Sequence, residues 1–160
     1  MYFDGSLMNK GTGVGLVFVS PLGVRMRYMV RIHFPSSNNV AEYEAPINGL
    51  RNAIELGIRC LDDQGDSQLF IDQIMKESSY HSTKMATYCQ EVCQLEDKFD
   101  GLELNHIPRR LNEAPDVLAK VASGQEPVPT SVFASDSTNP RSAMRGQNKP
   151  VMGRLRWAWG

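Results

Sequence analysis

The spacing of apolar residues changes from alternating to helical after about residue 35, and this change restricts the chain to a fold that mixes strands and helices. In residues 24–34 apolar side chains alternate with mostly basic ones, which predicts a half-exposed β-strand. The apolar members of this alternation are Val24, Met26, Tyr28, Val30, Ile32 and Phe34. The next apolar series has helical spacing and consists of Ile47, Leu50, Ala53, Ile54 and Ile58.

The other elements predict a mixed sheet. Before the alternating strand come a very short apolar run that ends at Asp4 and the strand "GVGLVFVS" (13–20), so the first third predicts an antiparallel meander. "GTGVG" (11–15) favours a hairpin over a phosphate loop, because it lacks a lysine and opens no helix. Later come a weak strand before Asp66, helices over 67–77 and 82–99, a strand over 102–108 and a helix over 112–123. Helical crossovers between the later strands complete an α/β arrangement.

The composition changes after residue 123. Residues 124–160 are rich in Pro, Gly, Ser, Thr and Asn and show no period. Such a segment buries too little apolar surface to offset chain entropy. We therefore expect a domain over 1–123 and a flexible, low-complexity tail over 124–160, whose final "RLRWAWG" is either a basic-aromatic contact patch or an arbitrary sequence.

Charge is divided unevenly along the chain. The net charge is −1, of which residues 124–160 carry +3 and residues 1–123 carry −4. Because nucleic-acid binding depends on Lys and Arg, an acidic domain is expected to bind nucleic acid weakly or with help.

The sequence predicts an intracellular protein, cytoplasmic or nuclear, that is neither secreted nor bound to a membrane. No apolar run approaches the ~20 residues that cross a bilayer, and "MYFDGSLMNK" lacks a signal-peptide pattern. The cysteines are Cys60, Cys89 and Cys93, without partners at metal-binding spacing. We interpret them as buried or half-buried free thiols in a reducing compartment.

Four acidic residues lie at predicted element boundaries, and each has a structural explanation when taken alone. Asp4 precedes a glycine in a turn motif, and Glu42 has capping-box spacing from Asn39. Asp66 fits a helix N-cap, and Asp116 fits the positive end of a helix dipole.

Taken together, the four acids predict a metal site. In a mixed sheet the first and fourth strands can be neighbours, so that Asp4 and Asp66 meet the helix starts that carry Glu42 and Asp116. Four unpaired carboxylates are costly unless a cation neutralises them. Their oxygens suit Mg²⁺ or Mn²⁺ better than zinc. Two such ions, ~3.5–4 Å apart, support phosphodiester cleavage.

Four segments resemble type 1 ribonuclease H in order and spacing: "YFDGS", "NNVAEYEA", "DSQL" and "HIPRRLNEAPDVLAKVAS". The resemblance covers about residues 2–123 and is greatest for the ribonuclease H segment of plant gypsy-type LTR retrotransposon polyproteins. It implies a ribonuclease H-like α/β fold with a five-stranded mixed sheet flanked by helices. It also implies endonucleolytic cleavage of the RNA strand of an RNA:DNA hybrid with two Mg²⁺ ions, or Mn²⁺ in their place, and a reverse transcriptase domain of the same polyprotein as partner.

The resemblance also implies roles for individual residues. It assigns metal binding and catalysis to Asp4, Glu42, Asp66 and Asp116. It assigns contacts in the minor groove of the hybrid to Asn38, Asn39 and Gln68. Such contacts are reasonable because the 2′-hydroxyl distinguishes RNA from DNA. Local helix capping is the alternative for these three residues.

Three departures from the family pattern concern the site. If Asn39 is the N-cap, Pro46 is the seventh helical residue, where its ring clashes with the carbonyl of Glu42. The chain begins only three residues before Asp4, which predicts a shortened first strand. The strand "LDDQG" would turn Asp62 or Asp63 toward the core.

These departures leave two functions open. One is an active ribonuclease H, and the other is a catalytically impaired remnant that binds nucleic acid or has no activity. A related DNA-strand-transfer domain is a third and weaker alternative, because such enzymes usually use three acids and lack the "NNVAEYEA" and "DSQL" context.

Overall fold

The computed structural model describes residues 1–66 and 83–138. Its strands are β1 (Tyr2–Met8), β2 (Gly11–Val19), β3 (Arg25–Ile32), β4 (Cys60–Gly65), β5 (Gly101–His106) and β6 (Val132–Ser137). Its helices are α1 (Asn38–Glu55), α2 (Thr83–Glu96) and α3 (Glu113–Ser123), and a 3₁₀ turn spans Arg109–Leu111. The helix predicted over 67–77 lies outside the described residues. Among the described helices, none combines the length and apolarity needed to cross a bilayer.

The strands form one mixed sheet in the order β5-β4-β1-β2-β3-β6. β1, β2 and β3 are an antiparallel meander, whereas β4 pairs parallel to β1 and β5 pairs parallel to β4. This arrangement confirms the predicted α/β class and the mixed sheet. The sheet has six strands instead of the expected five, because β6 adds to the outer edge of β3.

β6 comes from the segment that was predicted to be a flexible tail, and for residues 132–137 that prediction is wrong. The strand runs parallel to β3 and is mostly exposed. Its order comes from ladder hydrogen bonds and a few side-chain contacts, such as Phe133 stacked on Tyr28 at 5.0 Å and His33 Nε2 2.6 Å from Asp136 Oδ1. A composition argument misses such a strand, because it considers only apolar burial.

The sheet separates two apolar layers of different size. The larger core packs α1 and α2 against one face, with Phe3, Leu16 and Tyr43 among its buried side chains. The smaller core packs α3 against the other face around Val17, Met29, Leu118 and Ala122. Alternation along β2 divides the layers, since Leu16 faces the first core and Val17 the second.

The N-cap of helix α1 lies two residues earlier than expected. Ser37 is the N-cap, and its hydroxyl accepts a hydrogen bond from the amide of Val40 at 3.3 Å. Asn39 is therefore a helical residue, and the predicted capping box is wrong. Pro46 is the ninth residue of the helix, well inside it.

The strands on either side of the site also differ from expectation. β1 continues past Asp4 to Met8, so Asp4 lies within the strand and not at its end. "LDDQG" does form a strand, β4, and it turns Asp63 into the interior with 2% of its surface exposed. Of the cysteines, Cys89 is buried and Cys93 is half-buried as predicted, whereas Cys60 is exposed.

Candidate active site

Asp4 and Asp66 are neighbours because β1 and β4 are neighbours. Phe3 pairs with Gly65, so Asp4 and Asp66, the residues that follow them, lie side by side where the β1–β4 pairing ends. Oδ1 of Asp4 accepts a hydrogen bond from the amide of Gly5 at 3.0 Å. The side chain of Asp66 is only 8% exposed, and its Oδ2 has no hydrogen bond and lies 3.6 Å from Nε of Arg109. A buried, weakly paired carboxylate oxygen therefore lies beside Asp4.

Asp116 reaches Asp4 through close contact of α3 with β2. Gly15 is paired with Asp4, and a Cβ at Gly15 would lie 2.0 Å from the carbonyl oxygen of Pro115. The absence of a side chain thus lets the first turn of α3 lie directly on the strand pair. Nδ2 of Asn112 fixes the same end of the helix by donating to the carbonyl oxygen of Phe3 at 2.9 Å.

Glu42 lies beside β1 on the face of the sheet opposite to α3. A Cβ at Gly5 would be 2.3 Å from the carbonyl oxygen of Ala41 and 3.1 Å from the amide nitrogen of Glu42. The backbone of α1 at Glu42 therefore touches the residue next to Asp4. The side chain of Glu42 is half-buried. Asp4, Asp66 and Asp116 thus meet where the pairing of β1 with β4 ends, and the backbone of Glu42 passes beside the same point.

The electrostatics of Asp4 and Asp116 are opposite. Burial raises the pKa of Asp4 to about 8, with further contributions from the charge of Asp66 and from a hydrogen bond with Asp116. Burial also acts to raise the pKa of Asp116, but hydrogen bonds from Lys120 and Asp4, with the charges of Lys120 and Arg109, outweigh it and lower that pKa. Near neutral pH Asp4 therefore holds a proton that it donates to ionised Asp116.

The donor set fits a divalent cation chemically. Oδ2 of Asp66 is buried without a hydrogen bond, and burial, together with the charges of Asp66 and Asp116, raises the pKa of Asp4. Hard oxygen ligands of this kind favour Mg²⁺ or Mn²⁺. Within residues 1–66 and 83–138, however, no three His, Cys, Asp or Glu side chains are already arranged to hold an ion. A cation would have to displace the proton and draw the carboxylates together.

The residues predicted to contact substrate are only partly described. Asn38 is the first residue of α1 and is exposed, and Asn39 follows it in the helix. Gln68 lies outside the described residues.

Two further polar residues lie near Asp66. Arg109 is 86% exposed next to it, and His106 is exposed at the end of β5, where it is paired with Gly65.

Sequence reasoning missed three groups that build the site. Gly15 belongs to "GTGVG", which was read only as hairpin geometry, although Gly15 lies inside β2 and receives α3. Asn112 is fully buried, and the only sequence signal for it is its place four residues before Asp116. Lys120 Nζ lies 2.9 Å from Oδ2 of Asp116, and this pair was visible as an acid followed by a lysine at helical spacing.

The sequence is similar to proteins of known family. The family described as reverse transcriptase-like matches residues 2–122. Ribonuclease HI of Halobacterium salinarum is 33% identical over 123 residues, which are 76% of this chain. The chain spans 62% of the length of that relative.

The fold is similar to solved structures. RNase H1 from the halophilic archaeon Halobacterium salinarum NRC-1 superimposes with a TM-score of 0.69 at 29% identity, covering 78% of this chain and 96% of that one. LC11-RNase H1, isolated from compost, gives a TM-score of 0.67 at 23% identity over 78% and 94% of the two chains. The structure of LC11-RNase H1 in complex with an RNA/DNA hybrid gives 0.64 at 22% identity over 78% and 95%.

The family match extends over most of the chain and covers all four acids, and the solved structures share the mixed sheet with its flanking helices. The chain therefore belongs to the reverse transcriptase-like family and folds as a ribonuclease H-like domain.

Proposed function

We propose that the chain is a ribonuclease H that cleaves the RNA strand of an RNA:DNA hybrid endonucleolytically with the help of two Mg²⁺ ions, or Mn²⁺ in their place. The observation that carries the proposal is the placement of Asp66 and Asp116 beside Asp4, through the pairing of β1 with β4 and the close contact of α3 with Gly15. Clustered carboxylates repel one another unless a cation neutralises them, and their oxygens are the ligands that Mg²⁺ prefers.

The ions would be held by Asp4, Glu42, Asp66 and Asp116. When bound, they supply Lewis-acid activation of an attacking water and stabilisation of the leaving oxygen. Asp4 must release its proton for this binding, and Lys120 keeps Asp116 ionised. Arg109, exposed beside Asp66, is suited to contact a phosphate of the substrate.

The hybrid is the proposed substrate. Asn38 and Asn39 stand at the start of α1, which also carries Glu42, and with Gln68 they are proposed to contact the minor groove. A donor in that groove can detect the 2′-hydroxyl and so tell RNA from DNA. LC11-RNase H1, which shares the fold, has been crystallised with an RNA/DNA hybrid, and this supports the choice of substrate.

We further propose that the domain derives from an LTR retroelement of the plant gypsy type and works beside a reverse transcriptase domain of the same polyprotein. The support is the match to the reverse transcriptase-like family over residues 2–122. Addition of a matching reverse transcriptase domain should then increase affinity for a hybrid. Unchanged affinity would contradict the partnership without affecting the proposed nuclease.

The test of the nuclease is cleavage of an end-labelled RNA:DNA hybrid by the full chain with Mg²⁺. We expect RNA-strand products with wild type and a loss of about 100-fold or more with Asp66→Asn, which removes a ligand charge but keeps the shape. Uncleaved hybrid with wild type, or equal cleavage by the variant, would refute the proposal.

Binding of hybrid without cleavage is a second candidate function. One observation favours it: in the described part of the chain, no three potential ligands are prearranged for a metal ion. A gel-shift assay with the same labelled hybrid separates the two functions. Retention of the hybrid by wild type and Asp66→Asn alike, without products, would identify a binding module.

A further inference from the structure

Helix α1 passes through Pro46 without interruption. The helix is continuous over Asn38–Glu55, although proline has no N–H to donate to the carbonyl of Glu42, four residues earlier. The backbone is therefore weakest at the turn that joins Glu42 to the rest of the helix. Contacts from outside the helical ladder must supply order at this turn.

A buried polar network spans the proline. Oη of Tyr88, in α2, donates to Oε1 of Glu44 at 2.6 Å. Nδ2 of Asn48 lies 2.7 Å from the carbonyl oxygen of Glu44 and 3.2 Å from its Oε2. Glu44 and Asn48 stand two residues before and two residues after Pro46, and both are at most 2% exposed. The network thus joins the two halves of α1 to each other and to α2.

The same turn of α1 is held from the opposite side by the sheet. Gly5 of β1 contacts the backbone at Ala41 and Glu42. Tyr43 lies on the side of α2, where its ring packs on that of Tyr88 with centroids 5.5 Å apart. Residues two apart point to opposite sides of a helix. When Glu44 faces α2, Glu42 therefore faces away from α2, on the side of β1.

A second link between α1 and α2 lies beyond the proline. Arg51 forms an ion pair with Glu91, whose side chain is 3% exposed. This pair holds only the C-terminal half of α1. It therefore provides a matched comparison for the network at Glu44.

We propose that Tyr88 and Asn48, acting through Glu44, are positioning residues that hold Glu42 in place across the weak point at Pro46. The proposal deepens the function proposed above and rests on it. Removing the Tyr88 hydroxyl frees the first turns of α1 to shift, and a shift of ~1 Å in a catalytic group can lower a rate about 100-fold. Positioning groups behind metal ligands commonly contribute about 10–100-fold to metal affinity or activity.

The test compares Tyr88→Phe, Pro46→Ala, the double variant and Glu91→Gln in the full chain. Tyr88→Phe keeps the ring contact with Tyr43 and removes only the hydroxyl. We expect it to lower kcat about tenfold or more at unchanged KM and to raise the Mg²⁺ concentration needed for half of the thermal shift. In the Pro46→Ala background, Tyr88→Phe should lower kcat by about twofold or less, because the restored amide of residue 46 makes the network redundant.

Glu91→Gln is the control, since it loosens α1 from α2 only beyond the proline. It should lower thermal stability and leave kcat and the Mg²⁺ midpoint unchanged. The proposal is overturned if Tyr88→Phe behaves like Glu91→Gln, or if its effect is undiminished beside Pro46→Ala.

Amide hydrogen exchange separates this inference from the proposed function. Tyr88→Phe should accelerate exchange at residues 41–45 more than at residues 49–55, with or without nuclease activity. If wild type cleaves nothing but this exchange pattern is found, the proposed function fails and the positioning role stands. Uniform acceleration along α1 would overturn the positioning role.

Discussion

At the scale of single residues, Asp63 is a carboxyl group in the interior of β4. Burial raises its pKa from 3.8 to about 8, and its Oδ1 has no hydrogen-bond partner. The folded chain therefore keeps a proton that the unfolded chain releases above about pH 4. Stability should fall as pH rises from about 4 toward about 8, and in Asp63→Asn this fall should be smaller by several kcal/mol. Urea unfolding across this pH range measures the free energy of unfolding of both proteins. Parallel plots of this free energy against pH for wild type and Asp63→Asn would contradict the prediction.

Asp4 predicts how Mg²⁺ binding depends on pH. Burial and the charge of Asp66 hold the pKa of Asp4 at about 8, so at lower pH a cation must displace a proton. The Mg²⁺ midpoint of the thermal shift should therefore fall as pH rises from about 6 to about 8 and change little above that. Asp136→Asn is the control, because Asp136 lies in β6 at the far edge of the sheet. It should leave the pH dependence of the Mg²⁺ midpoint unchanged. A midpoint independent of pH would exclude Asp4 as a ligand.

At the scale of elements, the position of α3 depends on Gly15. A Cβ there would overlap the carbonyl oxygen of Pro115, so Gly15→Ala must push the helix away from β2 and Asp116 away from Asp4. We expect a loss of about 1–3 kcal/mol in the free energy of unfolding, together with a large loss of hybrid cleavage.

Gly101→Ala is the matched control, since its Cβ would meet nothing closer than Sγ of Cys60 at 3.7 Å. It should change the free energy of unfolding by about 0.5 kcal/mol or less. Chemical denaturation and the cleavage assay test both variants. Equal effects of the two would contradict the role of close α3–β2 contact.

The elements differ in how far the sequence predicts them. Periodicity suffices for β3 and α1, because each buries one face against a core. It fails for β6, whose side chains are mostly exposed, and for the N-cap of α1, where neighbouring serine and asparagine residues compete on equal terms. The four acids were predicted as ligands from their places at element boundaries and from the family resemblance, and this role stays a prediction. Gly15 and Asn112 were missed because their importance lies in contacts that only the folded structure brings together.

At the scale of the whole molecule, β6 carries the sheet beyond the boundary expected at residue 123. Its pairing with β3 and the contact of Asp136 with His33 predict that a chain ending at residue 138 is more stable than one ending at residue 131. We expect a difference of about 1–3 kcal/mol in urea unfolding, from a few backbone hydrogen bonds and an exposed aromatic stack. Equal stability of the two chains would mean that β6 is not an integral part of the sheet, and would support the boundary at 123.

The central claim is that Asp4, Glu42, Asp66 and Asp116 form one site for divalent cations where the pairing of β1 with β4 ends. A crystal structure of the full chain soaked with Mn²⁺, recorded at the manganese absorption edge, tests this claim most directly. We predict anomalous density in direct coordination with Asp4, Asp66 and at least one of Glu42 and Asp116. Manganese bound elsewhere, with these carboxylates still paired only with protein groups, would contradict the account.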